Sequence, residues 1–232
     1  DDLSGLKPSE TTLFAIASMT KPITTLGVLH LIENSSLQLS DPVSKYLPEF
    51  SQMLVAPGGS YDSQLQPAER EITIFDLLTH TSGLTYTSGI TGVGDIADAY
   101  RDLEIFTLEA KVSSSSGDLS GHTSKLAELP LVSQPGKQFV YSVGVDVAGR
   151  VIEVVSGLSL RGYLRENILL PLGMTDTDFV IDPKDSDRLA RLYSPLTRTY
   201  QIPGIPKMYQ QTNLIPKRLK NFGIEAQMYS GG

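Results

Sequence analysis

The sequence feature that most constrains the fold is a segment that begins at Ser18 and runs to Glu33. A serine at a helix start can accept hydrogen bonds from the exposed amides of the first turn. Pro22 is tolerated there because those amides lack intrahelical partners. Apolar residues then recur three or four positions apart, at Ile23, Leu26, Leu29 and Ile32. This spacing predicts an amphipathic helix over 18–33, with Ser18 as its N-cap.

Apolar spacing and helix-ending residues predict four further helices. They cover residues 72–79, 96–103, 143–155 and 160–169. Gly83 and Gly157 follow two of these segments, as left-handed residues do after a helix. The chain is therefore expected to be rich in helices.

The remaining segments predict turns, loops and short extended pieces. The apolar run 13–17 predicts either a buried strand end or a lead-in to the first helix. Pro135–Gly136 predicts a turn, and an extended segment over 139–141 is expected after it. The rest of 85–119 is rich in Gly and Ser and predicts surface loops. Within it, 92–97 fits a loose dinucleotide-binding pattern, but no strand precedes it, so a flexible loop is the better interpretation.

Composition narrows the classes of protein that the chain can belong to. Its 232 residues are 40% hydrophobic and 19% charged, which is typical of a globular domain. The chain has no Cys, which excludes thiol catalysis and Cys-based metal sites. The net charge of −7 argues against a nucleic-acid partner, and the basic residues Lys217, Arg218 and Lys220 are interpreted as a solvated face. No apolar run approaches the roughly 20 residues that a membrane span needs.

A Ser-x-x-Lys pair opens the predicted first helix. Ser18 and Lys21 are three residues apart, which places them on one helix face. A hydroxyl needs a neighbouring base to become a nucleophile, and a desolvated lysine can accept its proton. The same spacing at Ser4 and Lys7 lies in a loop that nothing orients. The alternative is that Ser18 only caps the helix and Lys21 faces solvent.

Other catalytic machinery is absent from the sequence. No Gly-x-Ser-x-Gly nucleophile elbow occurs, which disfavours an α/β-hydrolase. His30 is expected to be packed or at the surface, His80 to bond locally to backbone, and His122 to lie in a polar loop. No pair of His residues has metal-ligand spacing, so a metal site is not expected.

Four segments together resemble the superfamily of class C β-lactamases, DD-peptidases and family VIII carboxylesterases. They are Leu13–Ile23 around Ser18-x-x-Lys21, Leu77–Leu84 with the His-Thr-Ser-Gly sequence, Pro135–Ser142 ending in Tyr141-Ser142, and Leu170–Met174. They occur in the order of that superfamily and extend over most of 11–180. The combination is far more specific than a lone Ser-x-x-Lys.

The resemblance implies a role for three residues. Ser18 would be the acylated nucleophile, and Lys21 would hold its hydroxyl and share its proton. Tyr141 would act with Lys21 as general base, and as acid toward the leaving group. A phenol titrates near pH 10, so this role requires a nearby cation. The alternative for Tyr141 is a half-buried ring at the edge of a loop, and the segment around His80 is expected to be a structural turn.

The sequence departs from the superfamily in two places. β-Lactamases and DD-peptidases usually carry Asn two residues after the Tyr, where this chain has Val143. An apolar side chain cannot bond the acylamino group of a β-lactam, so Tyr141-Ser142-Val143 resembles the esterase branch. Nothing after Tyr200 matches the last motif of the superfamily, which usually gives an oxyanion amide. Losing such a donor costs about 10²–10³ in rate, so a chain truncated there is expected to be weak or inactive.

These inferences combine into one expectation. The fold is α/β and β-lactamase/transpeptidase-like, with an inserted helical region over about 35–180 in one domain that looks truncated at both ends. The chain is expected to cleave small carboxylic esters through an acyl-Ser18 intermediate, with no cofactor, nucleic-acid partner or membrane span. Two alternatives stay open: a β-lactamase or penicillin-binding peptidase, and a non-catalytic homologue that binds a ligand. The sequence does not determine the oligomeric state.

Overall fold

The computed structural model describes residues 8–87, 91–105 and 119–190. The first long helix, α1, spans Thr20–Glu33 and follows a short 3-10 turn at Ala17–Met19. The predicted N-cap role of Ser18 is wrong, because Met19 occupies that position and no side chain caps the helix. Ser18 instead lies in the 3-10 turn, and its hydroxyl is engaged elsewhere.

The helix α5, Gly144–Ser156, is the central element of the core. The helices that pack against it are α1, α2 (Ile74–Leu78), α4 (Leu119–Ala127) and α6 (Leu160–Leu164). A π-helical turn at Arg165–Leu169 continues α6, in agreement with the predicted helix over 160–169. The fully buried side chains of this core include Val28, Ile74, Leu77, Val147, Ile152 and Leu164. Burying such apolar side chains is the main force that holds the helices together.

The described part of the chain has little sheet. Two antiparallel strands, β1 at Leu54–Val55 and β2 at Gln66–Pro67, pair Leu54 with Pro67. The remaining short elements are 3-10 turns at Val43–Lys45, Pro48–Phe50, Pro57–Gly59 and Pro183–Arg188. The run 13–17 makes only an isolated bridge from Leu13 to Leu189, and Phe14 is exposed. The run is therefore not a buried strand end, and it leads into the turn before α1.

The second predicted helix needs correction. The helix predicted over 72–79 covers only 74–78, because Thr73 caps it by accepting from the amide of Asp76 in a capping box. Gly83 does adopt a left-handed backbone, with φ 83°, but it lies beyond the end of this helix.

The segment 92–97 is not a flexible loop as predicted. It contains the start of α3, Gly94–Asp102, which is the helix predicted over 96–103 and begins two residues earlier than predicted. Asp95 lies in the first turn, where a negative charge favours a helix, and its carboxylate accepts from Ser60 and Tyr61. Burial of Ile96 then fixes the helix against the core.

Two of the three histidines tie helices together or fill the interior. His30 of α1 shares a hydrogen bond of 2.7 Å with the hydroxyl of Tyr163 in α6. His122 is buried within α4, which corrects its predicted place in a polar loop.

No helix in the described ranges combines the length and apolar character that a membrane crossing requires. The pair Ser4 and Lys7, the basic residues at 217–220 and the chain after Tyr200 lie outside the described residues.

Candidate active site

Ser18 lies at the surface, in the turn immediately before α1. Ala17 precedes it with φ 46°, a left-handed backbone that costs a residue with a Cβ roughly 1–2 kcal/mol. Strained backbone of this kind persists where the surrounding structure enforces it, and it clusters at functional sites. The turn therefore places the Ser18 hydroxyl at the protein surface, before the first residue of the regular helix α1.

Lys21 is buried, and its Nζ donates to the Ser18 Oγ at 3.4 Å. One helical turn separates the two residues, as the sequence spacing predicts. The ammonium group lies 5.0 Å from the ring centre of Tyr141 and 5.7 Å from that of Tyr86. These distances allow cation–π attraction. The alternative of a solvent-facing Lys21 is therefore wrong.

Tyr141 reaches the same hydroxyl from a distant part of the chain. Its Oη donates to the Ser18 Oγ at 3.0 Å, across a sequence separation of 123 residues. The Tyr141 ring is half-buried, as expected for a ring at the edge of a loop, but its hydroxyl is hydrogen-bonded to Ser18. The structure thus brings Ser18, Lys21 and Tyr141 together.

Two residues of this cluster, Tyr86 and Asp146, were not predicted from the sequence. Tyr86 is almost fully buried and stacks on Tyr141, with ring centres 5.7 Å apart and planes inclined by 18°. Burial, followed by the nearby charge of Asp146, raises the pKa of Tyr86. No sequence signal distinguishes Tyr86, which follows the His-Thr-Ser-Gly segment in an irregular stretch.

Asp146 is a buried carboxyl group near the ammonium of Lys21. Burial raises the pKa of Asp146 to about 7, although the positive charge of Lys21 opposes the rise. Its Oδ2 has no hydrogen-bond partner among the described residues. No sequence signal identifies it as buried, because helical spacing places it on the side of Arg150 and Glu153, and only the packing shows that this acid is enclosed. Such a group is costly unless a counter-charge lies close by.

His80 also belongs to this cluster, which corrects the prediction that it bonds locally to backbone. Its Nδ1 lies 3.2 Å from both the amide nitrogen and the hydroxyl of Ser142, 62 residues away. Its ring centre is 4.7 Å from that of Tyr141. Burial, followed by the positive charge of Lys21, lowers the pKa of His80.

Val143 occupies the position where the sequence departs from the β-lactamase pattern. Its side chain is fully buried in the core, and its amide donates to the Thr85 carbonyl at 3.2 Å. The side chain therefore packs inside the fold. It offers no polar group to a substrate.

The arrangement can move a proton to and from one hydroxyl. Two donors, Lys21 Nζ and Tyr141 Oη, converge on the Ser18 Oγ, and either becomes an acceptor once it has lost its own proton. Within the described ranges, no group of three or more His, Cys, Asp or Glu side chains could hold a metal ion. Proton transfer between these side chains is the chemistry that the geometry supports.

Comparisons with known proteins identify the family. The family model described as Beta-lactamase matches residues 1–217. Esterase EstB of Burkholderia gladioli is 37% identical over 180 residues, which are 78% of this chain and 42% of the esterase. Monacolin J acid methylbutanoyltransferase of Aspergillus terreus is 34% identical over 194 residues, 82% of this chain and 44% of the transferase.

A solved structure shows the same likeness in three dimensions. The structure of EstCE1, described as a hydrolase with promiscuous acyltransferase activity, superposes with a TM-score of 0.62 at 33% identity. The match covers 82% of this chain and 45% of EstCE1. The chain thus spans less than half the length of the relatives it matches. These matches confirm the predicted β-lactamase/transpeptidase-like fold, and the chain belongs to the beta-lactamase family.

Proposed function

We propose that this chain carries the nucleophile of a serine hydrolase that cleaves carboxylic esters through an acyl-Ser18 intermediate. The observation that carries the proposal is the convergence of Lys21 Nζ and Tyr141 Oη on one exposed hydroxyl, Ser18 Oγ. The esterase EstB and the hydrolase EstCE1, each at least 33% identical, support the same class of reaction.

In the acylation step, Ser18 Oγ attacks the carbonyl carbon of the ester. The hydroxyl proton passes to the Lys21–Tyr141 pair, and the same pair returns a proton to the leaving alcohol as the ester C–O bond breaks. Negative charge develops on the carbonyl oxygen beside the N-terminus of α1. The positive end of the helix dipole favours that charge.

In the deacylation step, a water molecule attacks the acyl group on Ser18. The Lys21–Tyr141 pair accepts the proton of the water and then protonates Ser18 Oγ as the acyl–oxygen bond breaks. The products are a carboxylic acid and the regenerated hydroxyl. One proton relay therefore serves both halves of the reaction.

Labelling with a fluorophosphonate, followed by intact-mass measurement, tests the proposal. We expect one label on the wild-type chain and none on Ser18→Ala. Ser36→Ala is the matched control, because Ser36 is an exposed serine just after the same helix, and it should label like the wild type. A folded chain that stays unlabelled, or equal labelling of Ser18→Ala, would favour a non-catalytic ligand-binding homologue.

Ester specificity is supported by the environment of Val143. A β-lactam carries an acylamino group that needs a polar partner, and the buried Val143 provides none. We expect p-nitrophenyl acetate or butyrate to be hydrolysed much faster than nitrocefin. Fast nitrocefin hydrolysis without ester turnover would instead favour the β-lactamase or penicillin-binding alternative.

Transfer of the acyl group to an alcohol is the second candidate function. Its support is the methylbutanoyltransferase among the relatives and the promiscuous acyltransferase activity of EstCE1. An alcohol would replace water in the second step, with the same proton relay. Adding a primary alcohol to a p-nitrophenyl butyrate assay should then yield the new butyrate ester, and a product of butyric acid alone would exclude this candidate.

A further inference from the structure

His80 contacts the residues on both sides of Tyr141. Its carbonyl oxygen accepts the amide N–H of Val140 at 2.8 Å, and its Nδ1 accepts the amide N–H of Ser142 at 3.2 Å. The backbone on each side of Tyr141 is therefore tied to one residue. His80 itself adopts a left-handed backbone with φ 57°, which is uncommon for a residue other than Gly.

The imidazole also supports the Tyr141 ring directly. The two ring centres are 4.7 Å apart, with planes inclined by 43°. Phe139 packs edge-on against the same imidazole, with ring centres 5.8 Å apart. The Tyr141 ring thus contacts both His80 and Tyr86, and Tyr86 stacks on it with ring centres 5.7 Å apart.

These contacts define the protonation state that the imidazole must have. An amide N–H can only donate, so the Ser142 amide requires a lone pair on Nδ1. The Ser142 hydroxyl accepts from the Gly144 amide at 3.2 Å, which leaves its own proton free to point at the same Nδ1. A proton on Nδ1 would face the Ser142 amide proton, and the hydrogen bond would be lost.

The charges around His80 favour the neutral ring. The titratable groups that face it are Lys21 from α1 and Tyr141 from the 139–142 segment. Burial and the positive charge of Lys21 both lower the pKa of His80 below its usual value of 6.5. The ring therefore gains a second proton only at a lower pH than an ordinary histidine does.

We propose that His80 is a positioning residue, whose unprotonated Nδ1 holds Tyr141 in line with Ser18 and releases it when the imidazole is protonated. The inference rests on the proposed function for its catalytic consequence. It predicts that ester turnover falls in acid at a pH lower than the ordinary histidine pKa of about 6.5, because Tyr141 loses its alignment when the imidazole is protonated.

Two substitutions separate this role from simple packing. In His80→Asn, the amide oxygen lies near the position of Nδ1, and Asn tolerates a left-handed backbone. In His80→Gln, the amide group extends beyond that position. We expect kcat/KM for p-nitrophenyl acetate to stay within about tenfold of wild type in His80→Asn and to fall about 10²-fold in His80→Gln, the lower range for a misplaced acid–base group.

The pH profile gives a sharper contrast, because Asn does not titrate in mild acid. The acid limb that belongs to His80 should be absent from His80→Asn. Melting curves of both variants confirm that each is folded. An unchanged acid limb in His80→Asn, or equal activity of the two variants, would overturn the positioning role.

A readout without turnover separates this inference from the proposed function. Nuclear magnetic resonance of the ring nitrogens should show Nδ1 of His80 unprotonated at neutral pH. Signals from ring-labelled Tyr141, assigned with Tyr141→Phe, should shift as His80 titrates. If the Tyr141 signals shift in a chain that is neither labelled by the fluorophosphonate nor able to cleave esters, only the proposed function fails. If the Tyr141 signals do not change while His80 titrates in an active chain, only the positioning role fails.

Discussion

A single ammonium group, Lys21 Nζ, organises the site at the scale of residues. It contacts the Ser18 hydroxyl, lies over the rings of Tyr86 and Tyr141, and attracts the buried carboxyl of Asp146. The arrangement leaves Ser18 Oγ as the group that Lys21 and Tyr141 share.

Removing either half of the proton relay should abolish most of the activity. Lys21→Ala and Tyr141→Phe should each lower kcat/KM for p-nitrophenyl acetate by about 10²–10⁴, the usual contribution of general acid–base catalysis. Circular dichroism melts should show that both variants remain folded.

The chain offers matched controls for these two variants. Lys45→Ala removes a lysine from an exposed ion pair with Asp41, and Tyr61→Phe removes the hydroxyl of an exposed tyrosine. Both controls should keep near-normal activity. If Lys21→Ala or Tyr141→Phe also does, the role assigned to that residue is wrong.

At the scale of elements, the position of Tyr141 depends on how closely α5 approaches α2. Gly144 is the first residue of α5, and a methyl group there would lie 2.7 Å from the carbonyl oxygen of Leu77 in α2. This contact is with backbone, which cannot rotate away. Gly144 also donates to Ser142, so displacing α5 would disturb the segment that carries Tyr141.

Gly144→Ala should therefore destabilise the fold, by about 1–3 kcal/mol as for other overpacked positions. The matched control is Gly162→Ala in α6, where a methyl group would meet only the Ser159 hydroxyl at 3.2 Å. Since Ala favours a helix over Gly, the control should be neutral or slightly stabilising. Urea unfolding of both variants measures the difference, and equal effects would contradict the close approach of α5 to α2.

Leu26 and Leu29 of the predicted apolar face of α1 are exposed, and Val28 is buried instead. Periodic apolar residues were therefore sufficient to locate α1 and α5, but not to identify the buried face of α1. They could not show the 3-10 turn at Ala17–Met19, which depends on the backbone of Ala17 and on the engagement of the Ser18 hydroxyl. The segment 92–97 was interpreted as a loop because no strand precedes it, although the helix predicted over 96–103 overlaps it. Burial of Ile96 fixes that helix, which begins at Gly94.

At the scale of the whole molecule, local sequence predicts the pair on one helix turn but not the long-range partners. Tyr141 was identified only through the family resemblance, and Tyr86, His80 and Asp146 joined the site through tertiary packing. The extent of the helical region over about 35–180 stays a prediction. The interpretation that the last motif of the superfamily is missing after Tyr200 also stays a prediction, because that part of the chain lies outside the described residues.

The free energy of unfolding should depend on pH through the titration of Asp146. Its pKa rises from 3.8 to about 7 on folding, so between these values the folded chain holds a proton that the unfolded chain has released. This contribution to the free energy of unfolding is therefore full below pH 3.8 and is lost as the pH rises through about 7. Asp146→Asn lacks the titration.

The difference in melting temperature, Asp146→Asn minus wild type, should consequently be several degrees higher at pH 8 than at pH 5. Scanning calorimetry at the two values measures it. The control Asp98→Asn removes an exposed carboxylate paired with Arg101, and such pairs contribute only about 0–1 kcal/mol. A relative melting temperature that falls between pH 5 and pH 8 would contradict the burial of an ionisable Asp146.

The central claim is that Ser18 becomes acylated because Lys21 and Tyr141 handle its proton. The most direct measurement is an acid-quenched reaction with p-nitrophenyl butyrate, followed by peptide mapping in the mass spectrometer. We predict a butyryl group on the peptide that contains Ser18, with slower formation in Tyr141→Phe and none in Ser18→Ala. Butyryl groups on other residues alone, or undiminished ester cleavage by Ser18→Ala, would contradict the claim.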